Sequence, residues 1–260
     1  MEWSAHQYTQ FENERTRPVR DLLAQVYPAK PLLTAADIGC GPGNSTGVLR
    51  EHFADARIIG IDSSAAMIAS ARERHADIEF RVADITAWSR EPEQYDLILA
   101  NASLQWIPNH EELLPRLLAK LQPGGTLAVQ VPDNQQEPVH LLMQKVASDL
   151  RWSSALADAR GILANRQSAD WYYRTLTRYE ARADVWKTTY FHVLKDGPRG
   201  VVDWFRSTGL RPYLSALSGE DQASFLDLYE SEIAKAYPAL LDGSVLLPFP
   251  RLFFIATCRD

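Results

Sequence analysis

The segment ADIGCGPGNST, residues 36–46, constrains the fold of this chain more than any other stretch. It follows an apolar run that ends in Asp37, and a helix-start signal begins at Asn44. Between these points stand three alternating glycines: Gly39, Gly41 and Gly43. Glycines let the backbone turn tightly and approach a ligand closely, and a helix start offers unpaired N–H groups. We therefore predict a strand, a turn and a helix that hold a nucleotide-like ligand at a strand's carboxyl end.

The spacing of this motif narrows the ligand. It reads G-x-G-x-G with an acid two residues before the first glycine, whereas dinucleotide sites read G-x-G-x-x-G. The acid suits a ligand with an ammonium group better than one with a pyrophosphate. S-adenosylmethionine, which has an amino-acid end and a sulfonium, fits this arrangement better than NAD.

A second acid stands where such a site needs one. The run Arg57–Ile61 predicts a strand, and Asp62 closes it 23 residues after Gly39. An acid at the end of the second strand accepts hydrogen bonds from ribose hydroxyls. Ser63 follows it at the start of a predicted helix. Taken alone, Asp62 would equally suit a surface acid that leads into a helix.

Two further predicted strands end in polar residues. The run 80–83 leads into Asp84 and Ile85, where a carboxylate can accept from an adenine amino group. The run 95–100 leads into Asn101. Strand ends of an open parallel sheet face one crevice, so we predict that these residues converge. The predicted cofactor-binding residues are Asp37, Gly39, Gly41, Gly43, Asn44, Asp62, Ser63, Asp84, Ile85 and Asn101.

Strand and helix patterns alternate through the first half of the chain and predict an α/β fold with a doubly wound, mostly parallel sheet. They fall at about 33–38, 45–53, 57–61, 65–75, 78–82, 95–100, 111–121 and 125–131, after a leading helix at 17–26. Later strands are predicted at 183–193 and 251–258. We expect one domain over 1–260, with a cofactor-binding core at 30–132 and helical lid insertions at 137–182 and 198–240.

The motifs DIGCGPGNST, GIDSS, VADI and DLILANASLQWIP together resemble the class I S-adenosylmethionine-dependent methyltransferases. Further segments narrow this resemblance to members that methylate trans-aconitate: YTQFENERTRPVRDLL, VQVPDNQQEPVH, WKTTYFH, DWFRSTGLRPYL and PRLFFIA. The resemblance implies S-adenosyl-L-methionine as cofactor and a seven-stranded, Rossmann-like methyltransferase sheet with a helical lid. It also implies a monomethyl ester of trans-aconitate as product.

A tricarboxylate substrate requires fixed donors, because burying unpaired carboxylates is prohibitive. Arginine matches a carboxylate with two parallel N–H groups, and tyrosine and amide side chains add further donors. Arg211, inside a segment that resembles the family, is the strongest candidate; it would otherwise be a surface charge beside a turn. The other predicted substrate-binding residues are Tyr190, Arg174, Gln105, Trp106 and Arg15.

We expect no catalytic residue in the acid–base sense and no metal. A carboxylate is ionised at neutral pH, so its attack on a sulfonium methyl needs no general base. Attack cancels opposite charges, so alignment and exclusion of water should carry the rate. His192 is accordingly interpreted as a surface or core histidine, and neither His192 nor His140 is expected to be essential as a base.

Composition sets outer limits on function. The 260 residues carry a net charge of −6 with no basic block, which argues against nucleic-acid binding. The opening residues lack a signal-peptide pattern, and the best apolar stretch, 245–257, is interrupted by two prolines and an arginine. Two cysteines cannot build a disulfide framework or a zinc site. We expect a soluble, cytoplasmic protein of undetermined oligomeric state.

Three other functions remain open at this stage. The first is methylation of another small acid or of an acyl thioester on the same fold. The second is an NAD-dependent oxidoreductase, which the glycine spacing disfavours. The third is a regulator that binds the cofactor without chemistry.

Overall fold

The computed structural model describes residues 12–157, 166–206 and 208–259, with side chains from residue 16 onward. The strands in these ranges are β1 (Thr34–Ile38), β2 (Arg57–Asp62), β3 (Glu79–Val82), β4 (Tyr95–Asn101), β5 (Leu121–Pro132), β6 (Arg182–Leu194) and β7 (Val245–Thr257). The α-helices are α1 (Glu12–Leu23), α2 (Asn44–His52), α3 (Ala65–Arg74), α4 (Ile85–Trp88), α5 (His110–Ala119), α6 (Pro138–Ala147), α7 (Ala169–Arg178), α8 (Gly197–Arg206), α9 (Arg211–Ala216) and α10 (Gly219–Ala236).

Among the described residues the strands form one sheet in the order β3-β2-β1-β4-β5-β7-β6. The pairs β1–β2, β2–β3, β1–β4 and β4–β5 are parallel, and β5–β7 is antiparallel. The predicted doubly wound, mostly parallel seven-stranded sheet is thus confirmed. The strand order reverses between β1 and β4, and a crevice for a ligand opens at the carboxyl ends of strands at such a point.

Local sequence explains why the elements around this crevice begin where they do. Residues 35–38 of β1 are buried, as expected for a central parallel strand covered on both faces. Helix α3 starts after Ser64, whose hydroxyl accepts from the Met67 amide at 3.4 Å. Helix α4 starts after Asp84, whose carboxylate accepts from the Ala87 amide at 3.0 Å. Each N-cap fixes the direction in which the chain leaves a strand end.

The last strand is longer than predicted. It begins at Val245, whereas the sequence pattern placed its start at residue 251. Pairing with β5 starts only at Arg251, so neither Pro248 nor Pro250 lies in that ladder, where its missing N–H would cost a hydrogen bond. The leading helix also begins earlier than predicted and ends at Leu23.

The described residues form two compact units. The first comprises residues up to 132, 166–188 and residues from 251; the second comprises 133–157, 189–206 and 208–250. Helix α7 belongs to the first unit, where Tyr172 and Leu176 join the core of the sheet. Helices α6, α8, α9 and α10 belong to the second unit, and their role as a lid stays a prediction. Of the helices described, none has the length and apolarity that crossing a membrane requires.

Candidate functional site

The glycine turn after β1 holds three left-handed residues, with φ values of 74° at Gly39, 55° at Gly41 and 89° at Gly43. A Cβ added to Gly39 would lie 2.3 Å from the Cβ of Ser103, so the loop after β4 packs directly on this glycine. A Cβ added to Gly41 would meet nothing within 4 Å. The turn is therefore closed against the protein at its start and open in its middle, where a ligand can approach the backbone.

Asp37 lies at the end of β1 and is fully buried. Its Oδ2 accepts hydrogen bonds from the hydroxyls of Ser45 and Thr46, both at 2.7 Å, which ties β1 to the first turn of α2. Its Oδ1 is buried and has no hydrogen-bond partner among the described residues. Burial raises the pKa of Asp37 to about 6; the hydroxyl bonds lower the pKa, and the charge of Asp62 adds to the rise.

An orphaned carboxylate oxygen in the interior is costly, and a positive charge nearby would offset that cost. Asp37 stands two residues before Gly39, near the end of the strand that leads into the glycine turn. The feature fits a cationic ligand group, such as an ammonium, over the turn. It does not offer an exposed surface for direct coordination, because no part of Asp37 reaches solvent.

Asp62 lies at the end of β2 and connects the turn to the next helix. Its Oδ2 accepts from the Gly41 amide at 3.0 Å, and its Oδ1 accepts from the Ser64 amide at 2.8 Å. Burial raises the pKa of Asp62, while these two backbone bonds lower it. Each oxygen retains accepting capacity after one bond, so two hydroxyls of a ligand can still be bound. Ser63, between Asp62 and the cap of α3, is exposed.

Val82 was not predicted and lies beside Asp62. The two residues are paired across β2 and β3, and 48% of Val82 is exposed at the strand end. An apolar side chain next to Asp62, the acid predicted to bind a ribose, would provide a surface for a flat aromatic group. The only signal for it in the sequence was a valine two residues before Asp84.

Asn44, the first residue of helix α2, has a side chain that already forms a hydrogen bond within the protein. Asn44 Oδ1 accepts from Arg74 at 2.8 Å, and its Nδ2 is buried with no partner in the described part of the chain. At the end of β3, Asp84 is exposed and caps α4, while Ile85 is buried. Both positions lie at the carboxyl edge of the sheet, as predicted.

The loop after β4 carries two more unsatisfied acceptors. Asn101 Oδ1 and Gln105 Oε1 are buried, and neither has a hydrogen-bond partner within the described ranges. The amide nitrogen of Gln105 donates to the carbonyl of Ala102 at 2.8 Å, which fixes the direction of its free oxygen. Ala102 has a φ of 52°, so the backbone is held in the left-handed region at this turn. Strain and orphaned acceptors at one loop indicate a ligand site.

The predicted cofactor residues thus come together at the carboxyl ends of β1 to β4, within the first unit. The predicted substrate residues are divided between the units: Gln105, Trp106 and Arg174 belong to the first, and Tyr190 and Arg211 to the second. Arg15 lies in α1, and its side chain is outside the described residues.

These substrate candidates differ in their surroundings. Trp106, in the loop that follows Asn101, is 46% exposed, whereas Tyr190 is buried. Arg174 forms an exposed ion pair with Asp170 at 3.0 Å on α7, which makes it a weaker candidate than Arg211. Arg211 is half-buried as the first residue of α9.

A buried arginine was not singled out from the sequence. Arg251 is 4% exposed, and its Nη1 donates to Oε1 of the fully buried Gln130 at 2.8 Å. Gln130 Nε2 has no partner among the described residues. One signal was present: a glutamine interrupts the apolar run LAVQV of β5.

Two histidines lie in the second unit. Burial lowers the pKa of His140 to about 4, and its ring packs edge-on against Phe205. His192 is buried and stacks on Trp204 with 4.4 Å between ring centroids. Within the described residues, no group of three or more His, Cys, Asp or Glu is arranged to hold a metal ion.

The raised pKa of Asp37 predicts a specific pH dependence of stability. The folded protein binds this proton more tightly than the unfolded chain, so its contribution is present below pH 4 and is lost as the pH rises through about 6. Asp37→Asn keeps the oxygen that Ser45 and Thr46 bind and removes the charge. We expect the free energy of unfolding of the variant, relative to wild type, to grow by about 2–3 kcal/mol between pH 4 and 7.5.

Urea denaturation at successive pH values measures this difference. His140 changes stability in the opposite direction over the same interval, because its lowered pKa disfavours the folded state as the pH falls. Both proteins contain His140, so the difference curve removes its effect. A difference that stays constant from pH 4 to 7.5 would contradict the raised pKa of Asp37.

Comparison with known proteins identifies the family. Residues 35–125 match a family model described as a methyltransferase domain. A trans-aconitate 2-methyltransferase of Methylobacterium nodulans is 49% identical over 255 residues, covering 98% of each chain. One of Rhizobium meliloti is 48% identical over 257 residues, covering 99% of each chain.

A solved structure agrees on the fold. Phosphoethanolamine N-methyltransferase 2 of Haemonchus contortus, solved with phosphomonomethylethanolamine and S-adenosylhomocysteine, superposes with a TM-score of 0.56 at 17% identity. The match covers 94% of this chain and 53% of that one. Identity this low establishes the fold alone, whereas the full-length relatives establish more: the chain belongs to the trans-aconitate 2-methyltransferase family.

Proposed function

We propose that this protein is an S-adenosylmethionine-dependent carboxyl methyltransferase that converts trans-aconitate to its monomethyl ester. The observation that carries the proposal is the identity of 44–49% to trans-aconitate 2-methyltransferases over at least 98% of the chain. The geometry at the carboxyl ends of β1 to β4 supports the cofactor part of the proposal independently.

The residues of the first unit fit S-adenosylmethionine from one end to the other. Val82 and Asp84 would flank the adenine, and the free lone pairs of Asp62 would accept the ribose hydroxyls. The open middle of the turn at Gly41 leaves room for the ligand beside the backbone. The negative charge of Asp37 would favour the ammonium of the amino-acid end, and this ammonium can also donate a hydrogen bond to the orphaned Asn101 Oδ1.

Bound S-adenosylmethionine would supply the electrophilic methyl group. The protein has three tasks: it orients the substrate carboxylate in line with that methyl, holds both ligands at near-attack distance and keeps water out. None of these tasks requires a side chain to take up a proton, because the nucleophile is already an anion at neutral pH. His140 and His192 are therefore not needed as bases, in keeping with their aromatic packing.

Methylation of another small acid or of an acyl thioester is the main alternative. Turnover of methyl-labelled S-adenosylmethionine with a panel of di- and tricarboxylates and one acyl thioester decides between them. We expect the highest kcat/KM with trans-aconitate. With both ligands saturating, kcat should be flat between pH 6 and 8, because no enzyme base must lose a proton.

Two outcomes would count against the proposal. A higher kcat/KM with a thioester or another acid would show that trans-aconitate is not the preferred substrate. A kcat that rises through pH 6–7 and is abolished by replacement of His140 or His192, with unchanged ligand binding, would contradict a mechanism without an enzyme base.

Gly41→Ala tests the cofactor position. The added methyl would enter the open space beside Asp62, and a non-glycine residue at positive φ costs about 1–2 kcal/mol. We expect the affinity for S-adenosylhomocysteine, measured by calorimetry, to fall at least 10-fold. Gly219→Ala is the matched control, since Gly219 has a φ of 52° and equally open surroundings in the second unit.

Both variants should lose similar stability, and only Gly41→Ala should lose affinity. Equal affinity in Gly41→Ala and wild type would place the ligand away from the turn.

Arg211 is proposed as a carboxylate clamp for the substrate. Truncating one partner of a buried charge pair typically costs about 2–5 kcal/mol, so Arg211→Ala should lower kcat/KM for trans-aconitate by roughly 30-fold to several-thousand-fold. Arg211→Lys should recover little, because an ammonium lacks the planar fork. Cofactor affinity should stay near wild type.

Steady-state kinetics measure both variants, with Arg199→Ala as an exposed-arginine control in the second unit that should change kcat/KM less than twofold. Near-normal turnover in Arg211→Ala would move the anion site elsewhere.

A further inference from the structure

Polar side chains continue along the edge of the sheet past the predicted cofactor residues. Asn101 on β4 is paired with Gln130 on β5, and Arg251 on β7 is paired with Pro132, two residues further along β5. Residues two apart on a strand share a face, so Gln130 and Arg251 lie on the same face of the sheet. All of them belong to the first unit.

Gln130 is a buried polar residue in a strand that is otherwise apolar at this depth. It is fully buried between Val129 and Val131, where an aliphatic side chain would cost nothing in hydrogen bonding. Its Oε1 must face Arg251, because only the amide oxygen can accept from the guanidinium at 2.8 Å. Its Nε2, a donor with no partner in the described part of the chain, therefore points away from Arg251.

Arg251 brings a full positive charge to the same place. The guanidinium is only 4% exposed, so its charge is held away from bulk water, where an interaction with an anion is less screened. Phe253, two residues on, shares this face of the sheet and packs flat against Trp186 with 5.1 Å between ring centroids. A fixed amide donor next to a fixed guanidinium matches a carboxylate and rejects a cation.

We propose that Gln130 and Arg251 together bind a carboxylate of the methyl acceptor; the inference rests on the proposed function. Strand order assigns the carboxylate to the acceptor. The ribose acid Asp62 is on β2 and the glycine turn follows β1, so the cofactor's amino-acid end lies over β1 and β4. Strands β5 and β7 are the next positions beyond β4, on the side away from the ribose. The other source of the same chemistry is the carboxylate of the cofactor itself, which the experiment separates.

Gln130→Glu is the decisive variant. The new carboxylate keeps an oxygen for Arg251, so the buried contact survives, but the outward donor becomes an acceptor and the charge of Arg251 is neutralised. We expect KM for trans-aconitate to rise at least 30-fold. The affinity for S-adenosylhomocysteine should change less than threefold. Gln25→Glu, at an exposed position, is the control with the same change in net charge.

A second variant covers the case in which the new charge disturbs folding. Gln130→Leu fills the same space without a donor, and we expect KM for trans-aconitate to rise at least 5-fold. Arg251 also loses an acceptor in this variant, so we expect a lower Tm and the kinetics are measured well below it. Binding of trans-aconitate to the complex with S-adenosylhomocysteine is measured by calorimetry beside turnover. An unchanged KM in either folded variant, with wild-type turnover intact, overturns this inference and leaves the proposed function standing.

The third arm uses 5′-methylthioadenosine, which lacks the amino-acid end. If the variants lose affinity for S-adenosylhomocysteine but not for methylthioadenosine, the pair serves the cofactor's carboxylate and the assignment to the acceptor is overturned. A wild-type protein that neither binds nor methylates any acid of the panel overturns the proposed function and this inference together.

Discussion

A carboxylate buried beneath the glycine turn is the interaction on which the candidate site depends. Asp37 uses one oxygen to hold the hydroxyls of Ser45 and Thr46, and so fixes the first turn of α2 against the end of β1. The same junction sets the path of the turn, whose Gly41 amide reaches across to Asp62. Asp37 and Asp62, on neighbouring strands, thereby both fix the glycine turn through hydrogen bonds. Neither could be replaced by an apolar residue without leaving hydroxyl or amide donors unsatisfied.

The cost of this arrangement is electrostatic, and it explains why a cationic ligand would suit the site. Burial raises the pKa of Asp37 to about 6, so the protein keeps an unfavourable charge in its interior at neutral pH. A ligand with an ammonium and a sulfonium would offset that charge when it binds. The proposed substrate is an anion, so its binding site requires positive charge. A chain with a net charge of −6 must attract a tricarboxylate through local cations, and Arg211 and Arg251 are the proposed ones.

The sequence predicted the elements of the fold because they depend on local patterns. The candidate cofactor residues, whose role stays a prediction, were found from the same kind of pattern. Alternating apolar strands, glycine spacing and capping residues act within a few positions of one another, and Asp62 follows from its place at a strand end. The Arg251–Gln130 hydrogen bond joins residues 121 positions apart, and nothing in either neighbourhood specifies that pairing. The early start of β7 was missed for a related reason: prolines are excluded only where the neighbouring strand needs their N–H, which depends on the sheet. The full burial of Asp37 was likewise not evident, since the sequence shows an acid after a strand but not the helix turn that covers it.

Proton release on cofactor binding tests the role of Asp37 most directly. Calorimetric titration of S-adenosylmethionine near pH 6, in buffers of different ionisation enthalpy, counts the protons exchanged per binding event. A cation bound near Asp37 lowers its pKa, so wild-type protein should release up to about half a proton at this pH. Asp37→Asn should release clearly fewer protons and bind the cofactor more weakly. Equal proton counts and equal affinities in the two proteins would contradict the account, because the buried charge would then take no part in holding the ligand.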